Sequence, residues 1–539
     1  MAEILISPGI SMSETDKSTV VAQSVSAGAA LVGPTVKGPV LVPTVVSSYR
    51  QYQQIFGTTF DDNGTQREFL TSMAAKYWFE NSQDALIVSR VADPEAFTPA
   101  TASISGSNCT LDFATIGSGK IFNTNTGSAD SFKLQVVDVD EDANTFTLVV
   151  RQANDDEKNP VVLETFRNLS LDPTSSNYVT AVIGDQYTTV SEGDLSQSGN
   201  YVNSSAYIRV KSVSGSSVKG ISTNSTVSFS GASGSVGVCY KGGTEDESGS
   251  ANYFEDIKSN STYPQAVAPS LYETAFDLLA NTDEYNFSII SAPGLRASDQ
   301  LDSLVSLAEE RGDCIAVIDE ADCDTAVSSV SSSRNSSYAA AYFPWLQMYS
   351  STGKLEWVPA SVAIPGVYAA NDASSAPWYV PAGMTRGIVN AVQAKIKLTK
   401  KDRDALYKKN INPIAVLNPV GLVAYGQKTL QKKASALDRV NVRRLLIELK
   451  KTIKEKASSL LFEQNTSSLR ESFRAQVETY LASVVNRNGL YAYQVDLSGN
   501  TNEAIDRNEF HCAITLQPTK AIEFIYLSFN ITSTGVDFE

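Results

Sequence analysis

The sequence predicts a multi-domain α/β (α+β) protein: a mixed-sheet core shared by N-terminal and C-terminal parts, an inserted all-β domain, and extended arms at both ends. Three observations carry this. Strands alternate with helices after residue 263, the pattern of a mostly parallel sheet. Residues 94–260 are rich in Ser, Thr, Gly and Asn, and their apolar residues alternate in short runs between turn signals, as in a sandwich or barrel. Both ends are polar and lack any periodicity that would bury them alone. At 539 residues the chain exceeds one ordinary core, and 42% apolar with 19% charged residues is the composition of a folded protein.

Taken in order, residues 1–20 form an N-terminal arm with Pro8-Gly9 as a turn. Residues 21–93 are the first part of the core. There "TVVAQSVSAGAALVGPTVKGPVLVPTVVSS" reads as strands punctuated by Gly33-Pro34 and Gly38-Pro39. Phe69, Leu70, Met73, Tyr77 and Trp78 recur at helical spacing and predict a helix over 66–80. "DALIVSRV" (84–91) is a buried strand. Residues 94–262 are the insertion, with strands such as "DSFKLQVVDVD" and "TFTLVVRQ".

Residues 263–360 are the second part of the core. "YNFSIISAPG" predicts a strand, "ASDQLDSLVSLAEERG" a helix, "DCIAVIDE" a strand, "ADCDTAVSSVSSS" a helix and "YAAAYFPWLQMY" a strand. Residues 361–520 form the C-terminal core domain. Val442, Leu445, Leu446, Leu449, Ile453 and Leu460 trace one apolar stripe of a helix, with basic residues along its flank and back. The next helix is expected to open with a capping box at Ser468 and Glu471 and to stop at Asn488-Gly489. "HCAITLQPTKAIEFIYLSFNITSTG" is expected to end the chain with two strands joined at Gln517-Pro518, residues 521–539 being the C-terminal arm or strand.

The chemistry of catalysis is nearly absent. His511 is the single histidine, and neighbouring Cys512 is expected on the opposite face of a strand, so the histidine is read as structural. "DEADCD" (319–324) places acidic side chains after a parallel strand, where a Mg²⁺ site would sit; a helix N-terminus stabilised by acidic residues is the preferred reading. Asp319, Asp322 and Asp324 are the residues a metal-dependent hydrolase would use. Neither a Walker A loop nor a dinucleotide-binding glycine fingerprint occurs. No catalytic residue, metal site or cofactor is therefore expected. The five cysteines are odd in number and scattered, which suits free thiols in a reducing compartment. The first ten residues lack a basic-then-apolar leader, and no apolar run reaches the ~20 residues of a membrane span.

The charge is uneven. Residues 386–456 carry 18 Lys/Arg against 5 Asp/Glu, a net of +13, while the remainder carries 25 against 54, a net of −29. Together they make the overall −16. The acidic remainder argues against nucleic acid as the partner of the basic region and favours an acidic protein surface.

The C-terminal third reads "VAIPGVYAANDASSAPWYVPAGMTRGIVNAV", then "LTKKDRDALYKKNINPIAVLNPVGLVAYGQKTL", then "VNVRRLLIELKKTI". In this order it resembles the contractile tail sheath proteins of myovirus-type bacteriophages. The resemblance rests on Gly366-Val367-Tyr368, Trp378, Pro381-Ala382-Gly383, Ile411-Asn412, Gly426 with Thr429-Leu430, and Asn441 to Leu445. "SPGI" (7–10), "LVGPTVKGPV" (31–40) and "IFG" (55–57) are similar to the family's opening. Tyr425 stands where Trp is usual and Lys428 where Arg is usual. The insertion shows no match.

The resemblance implies a structural subunit that polymerises into stacked hexameric rings around a tail tube and contracts to drive it through a host envelope. Neighbouring copies, the tube protein, baseplate and tail terminator are the implied partners, with no nucleic acid contact and no stable membrane insertion. The implied location is the virion tail, assembled in the bacterial cytoplasm. A phage-derived bacteriocin or injection system is the alternative owner. A glycan-binding role for the insertion and the hydrolase reading are the alternatives of other classes. Arg443, Arg444, Lys450, Lys451 and Lys454 are expected to face an acidic tube. Ile4, Ile6, Val20, Val21, Phe524, Tyr526 and Phe529 are expected to pair in strands with neighbouring subunits.

Overall fold

The computed structural model describes residues 25–62, 65–92, 99–118, 132–153, 155–191, 194–231, 270–296, 298–523 and 526. At its centre lies an eight-stranded sheet formed by β1 (Ala29–Gly33), β2 (Thr44–Val46), β3 (Leu86–Arg90), β4 (Ile289–Ser291), β5 (Ile315–Ile318), β6 (Ala339–Phe343), β7 (Ile411–Leu417) and β8 (Gly421–Ala424). The spatial order is β8-β7-β6-β5-β4-β1-β3-β2. The six inner strands run parallel, and β2 and β8 close the two edges antiparallel.

Strands buried on both faces need unbroken apolar runs, and "AALVG", "LIVSR", "IAVI" and "AAAYF" supply them. Alternate residues serve opposite faces. Ala30, Val32, Ile87, Ile290, Ala316 and Ala341 pack beneath the helices Ser270–Leu279 and Ser298–Arg311. Leu31, Leu86, Val88, Ile289, Val317 and Tyr342 pack against α1 (Leu70–Asn81) and α2 (Ala360–Ser374). The result is a three-layer α/β/α core in which two distant parts of the chain share one sheet. Gly366, in α2, explains the first motif: a Cβ there would sit 2.5 Å from the Tyr77 ring on α1, so only glycine allows the two helices to approach this closely.

Between β3 and β4 the chain builds a separate apolar core. It is drawn from residues 100–229 and includes Leu111, Phe113, Leu134, Leu148, Leu169 and Ile208. Its sheets have four, three and two strands, all pairing antiparallel. One buried ionic cluster ties it together. Asp155 accepts from Arg151 Nε and Nη2 at 2.8 Å each, lies 2.6 Å from Lys133 Nζ, and accepts from the Val161 N–H at 2.7 Å. These bonds hold its carboxyl well below the usual carboxylate range, the Arg151 bonds most strongly.

Downstream, α3 (Val440–Ser458) and α4 (Ser467–Asn486) pack with the hairpin β9 (Leu490–Asp496) and β10 (Ala513–Pro518) around Trp378, Leu445, Leu449, Phe473, Val477 and Leu481.

Several expectations shift. The helix expected over 66–80 begins at Leu70, because Thr65–Glu68 pairs with Thr59–Asp62 in a hairpin. "ADCDTAVSSVSSS" forms turns rather than a helix. Its short polar side chains bond locally, as where Thr325 Oγ1 accepts the Asp322 N–H at 2.8 Å, and this competes with a helical ladder. The cap of α4 is Thr466, which accepts the Leu469 N–H at 3.2 Å; the expected box at Ser468 and Glu471 lies inside the helix. After β10, residues 519–523 form no strand.

Replacing Asp155 by Ala leaves Arg151, 1% exposed, without its main counter-ion. Breaking a buried pair costs roughly 3–5 kcal/mol. Calorimetry on the Asp155→Ala protein should show one transition moved to lower temperature, with the α/β core transition unchanged.

Candidate functional site

The basic region centres on α3, and its first two turns are inserted into the protein. Arg443 and Arg444 are 4% and 3% exposed. Arg444 donates two hydrogen bonds to Asp372, that from Nη1 at 2.9 Å, and its guanidinium lies 4.8 Å from the Tyr368 ring centre. The Tyr368 hydroxyl is in turn 2.8 Å from that of Tyr342, on the central sheet. Arg443 stacks 3.9 Å from the Tyr338 ring centre and reaches Ser337 Oγ, while burial pulls its pKa down. Both arginines therefore fasten α3 to the core. The expectation of a five-cation surface is corrected for these two: apolar periodicity identified the stripe but could not show that the helix start is buried all round.

The second half of α3 emerges into solvent. Lys450 and Lys454 are exposed; Lys450 Nζ donates to the Tyr338 hydroxyl at 3.1 Å, and Lys454 Nζ lies 4.0 Å from Asp283. Lys451 is half-buried and donates to Phe287 O at 2.6 Å, and burial lowers its pKa. Of the strand-exchange residues, Tyr526 is 92% exposed. Ile4, Ile6, Val20, Val21, Phe524 and Phe529 lie outside the described residues.

Other motif residues are spent on internal joints. Buried Asn412 donates to Ala341 O at 3.2 Å and Lys428 O at 2.7 Å, and accepts the Lys428 N–H at 2.7 Å. One amide thus stitches β6, β7 and the "GQKTL" segment together. Trp378 donates to Arg487 O at 3.1 Å, and Arg487 stacks 4.8 Å from its ring centre.

The acidic run does not converge. Asp319 is buried at the end of β5 and accepts from the Ser361 N–H at 3.2 Å, Ser361 Oγ at 2.5 Å and the Gly294 N–H at 3.3 Å. It serves the first turn of α2. Asp322 pairs with Arg296, and Asp324 with Lys395 at 2.8 Å. Among the described residues no group of three His, Cys, Asp or Glu side chains is placed to hold a metal ion. His511 precedes β10 rather than standing in it; its ring is exposed and lies 3.0 Å from Glu509. Cys109, Cys314, Cys323 and Cys512 are free thiols.

Residues 270–430 match the phage tail sheath protein central domain, and residues 432–532 the phage tail sheath C-terminal domain. The tail sheath protein of Vibrio phage KVP40 is 43% identical over 185 residues, 34% of this chain and 28% of that protein. The match therefore spans less than a third of the relative's length. The crystal structure of the sheath tail protein from Listeria innocua shares the fold with a TM-score of 0.56 at 10% identity, over 92% of this chain and 96% of that one. The helical sheath of the anti-feeding prophage in its contracted state does so with a TM-score of 0.50 at 15% identity, over 98% and 99%. Residues 270–532 are thus similar to the central and C-terminal domains of contractile phage tail sheath proteins.

Burial raises the Asp319 pKa to about 6, outweighing the bonds from Ser361 and Gly294 and the charge of Arg296, which pull it down. A folded-state pKa above the unfolded ~3.9 favours the protonated form, so this group's contribution is full below ~4 and is lost as pH rises through about 6. Between pH 4 and 7, melting of Asp319→Asn should depend less on pH than melting of the wild type.

Proposed function

We propose that this chain is a tail sheath subunit that polymerises into stacked hexameric rings around a tail tube and contracts to drive the tube through the host envelope. The observation that carries the reading is the match of residues 270–532, in order, to the two sheath domains, laid over one continuous α/β core. The joints made by Asn412, Arg444 and Trp378 favour a subunit that moves as a rigid body, the kind of motion a contracting lattice needs. Energy for contraction comes from interfaces in the extended assembly. Neighbouring copies, the tube, the baseplate and the terminator are its partners, in the tail of the virion. The full-length likeness to the anti-feeding prophage sheath favours, as a second reading, a phage-derived injection system. Capsid genes beside this one would decide for the phage.

The two-stranded β9–β10 sheet supports linkage through the ends of the chain. Each strand has one edge that pairs with no strand among the described residues, and an extended segment can add to such an edge with main-chain hydrogen bonds. Residues 1–20 and 521–539 of neighbouring copies are the proposed added strands, and removing residues 1–18 should leave a folded protein that forms no tubes in negative stain.

Lys450 and Lys454 are the proposed tube contacts. Exposed ion pairs contribute only ~0–1 kcal/mol each, so a single subunit grips weakly while a ring of them aligns the tube. The Debye length falls from ~10 Å at 0.1 M salt to ~3 Å at 1 M. Tube-bound sheath in a co-sedimentation assay should therefore fall between these salts. It should fall at 0.1 M salt for the Lys450→Glu, Lys454→Glu double variant, whose melting should match the wild type.

A further inference from the structure

The turn between α3 and α4 carries an apolar tip in water. Leu461 is exposed, and Phe462 is 105% exposed. Phe462 also sits at φ 68°, in the left-handed region that bulky side chains rarely occupy. The turn is pinned: the Glu463 N–H donates to Leu460 O at 3.1 Å, and the Asn465 side chain donates to Glu509 O at 3.0 Å. A strained turn that holds an aromatic ring away from its own subunit is not explained by packing.

A hole of matching kind lies elsewhere on the molecule. Met73 and Tyr77 of α1, Met348 and Tyr349 of the strand Leu346–Tyr349, and Ala391 and Val392 line a cavity of about 230 Å³. An apolar cavity of ~150 Å³ binds benzene, so this one has room for the phenyl ring of a phenylalanine. Its walls are fixed by hydrogen bonds. The Tyr77 hydroxyl accepts the Asn390 N–H at 2.8 Å, and the Val392 N–H donates to Gln347 O at 2.8 Å. The rim is apolar and in water, with Tyr349 58% exposed.

Charge at the two places is complementary. Lys76 lines the cavity and donates to Tyr349 O and Ser350 O at 3.5 and 3.4 Å; among the described residues it pairs with no carboxylate. Glu463, beside the knob, is exposed and among the described residues pairs with no cation. Glu80 is the other charged residue of the lining, and Lys456, in the last turn of α3, is its complement.

We propose that Phe462 of one copy enters the cavity between Met73, Tyr77 and Met348 of the next, with Glu463 against Lys76. This rests on the self-assembly reading above and adds the residues of one contact between copies. Knob and hole lie on different elements, so each copy gives one and receives one. Such a head-to-tail contact propagates into rings or helices instead of closing as a pair. An aromatic anchor in a pocket that excludes water, with polar groups at its rim, is the make-up of an interface hot spot.

Cross-linking locates the contact. With p-benzoylphenylalanine in place of Phe462, and isotopically heavy and light copies mixed, irradiated polymer should give heavy–light cross-links to residues 73–77, 346–349 or 390–392. Polymer whose cross-links all fall elsewhere, or that gives none, overturns the proposal and leaves the self-assembly reading standing. A wild type that forms no polymer overturns both. Phe462→Ala should melt as the wild type does and yield about tenfold less sedimentable polymer, equivalent to ~1.4 kcal/mol; an undiminished yield overturns the knob. Charge reversal checks the rim. Lys76→Glu sets two carboxylates together and Glu463→Lys two ammonium groups, so each alone should lower the yield about threefold. An equimolar mixture of the two should recover it, because each lysine knob meets a glutamate hole and each glutamate knob a lysine hole. That recovery would also show that both variants fold. A mixture no better than its components overturns this pairing of knob and hole.

Discussion

Strand β1 sits inside the eight-stranded sheet, hydrogen-bonded to β3 on one side and β4 on the other. All five of its residues are buried, and they serve both faces. Through this strand the N-terminal part of the chain and the part after the insertion become one body. The helices on both faces and the seating of α3 presuppose that body. Remove the pairing and none of these elements has a fixed place.

The positive charge of residues 386–456 divides into two uses. Arg443, Arg444 and Lys428 are turned inward, onto aromatic rings, a carboxylate and carbonyl oxygens, where they act as rivets between elements far apart in sequence. Lys450 and Lys454 stay in water. Cations at the joints hold the subunit in shape, and others, Lys450 and Lys454 among them, lie on its surface. The motifs quoted from the C-terminal third belong mostly to the first group. Gly366, Asn412 and Trp378 are determined by how closely backbones approach and which carbonyls need a donor.

What the sequence made legible follows the same line. Strands such as "LIVSR" and "IAVI" stand out because burial on both faces demands continuous apolar runs, and the insertion stands out because its strands alternate. Burial of Arg443 and Arg444 was not legible: their partners, Ser337, Tyr338, Tyr368 and Asp372, lie 72 or more residues away, and periodicity within a helix carries no information about them. The helical reading of "ADCDTAVSSVSSS" failed for a local reason, the competition of short polar side chains with the backbone.

The long interval between β3 and β4 also shapes how the chain is made. Arg90 ends β3 and Ile289 begins β4. At ~5–20 residues per second, a ribosome needs roughly ten to forty seconds to bridge that interval. Throughout it β1 has β3 beside it but lacks its second neighbour, and an apolar strand edge waits uncovered. The insertion pairs its strands mainly with near neighbours in sequence, so it can fold during that wait.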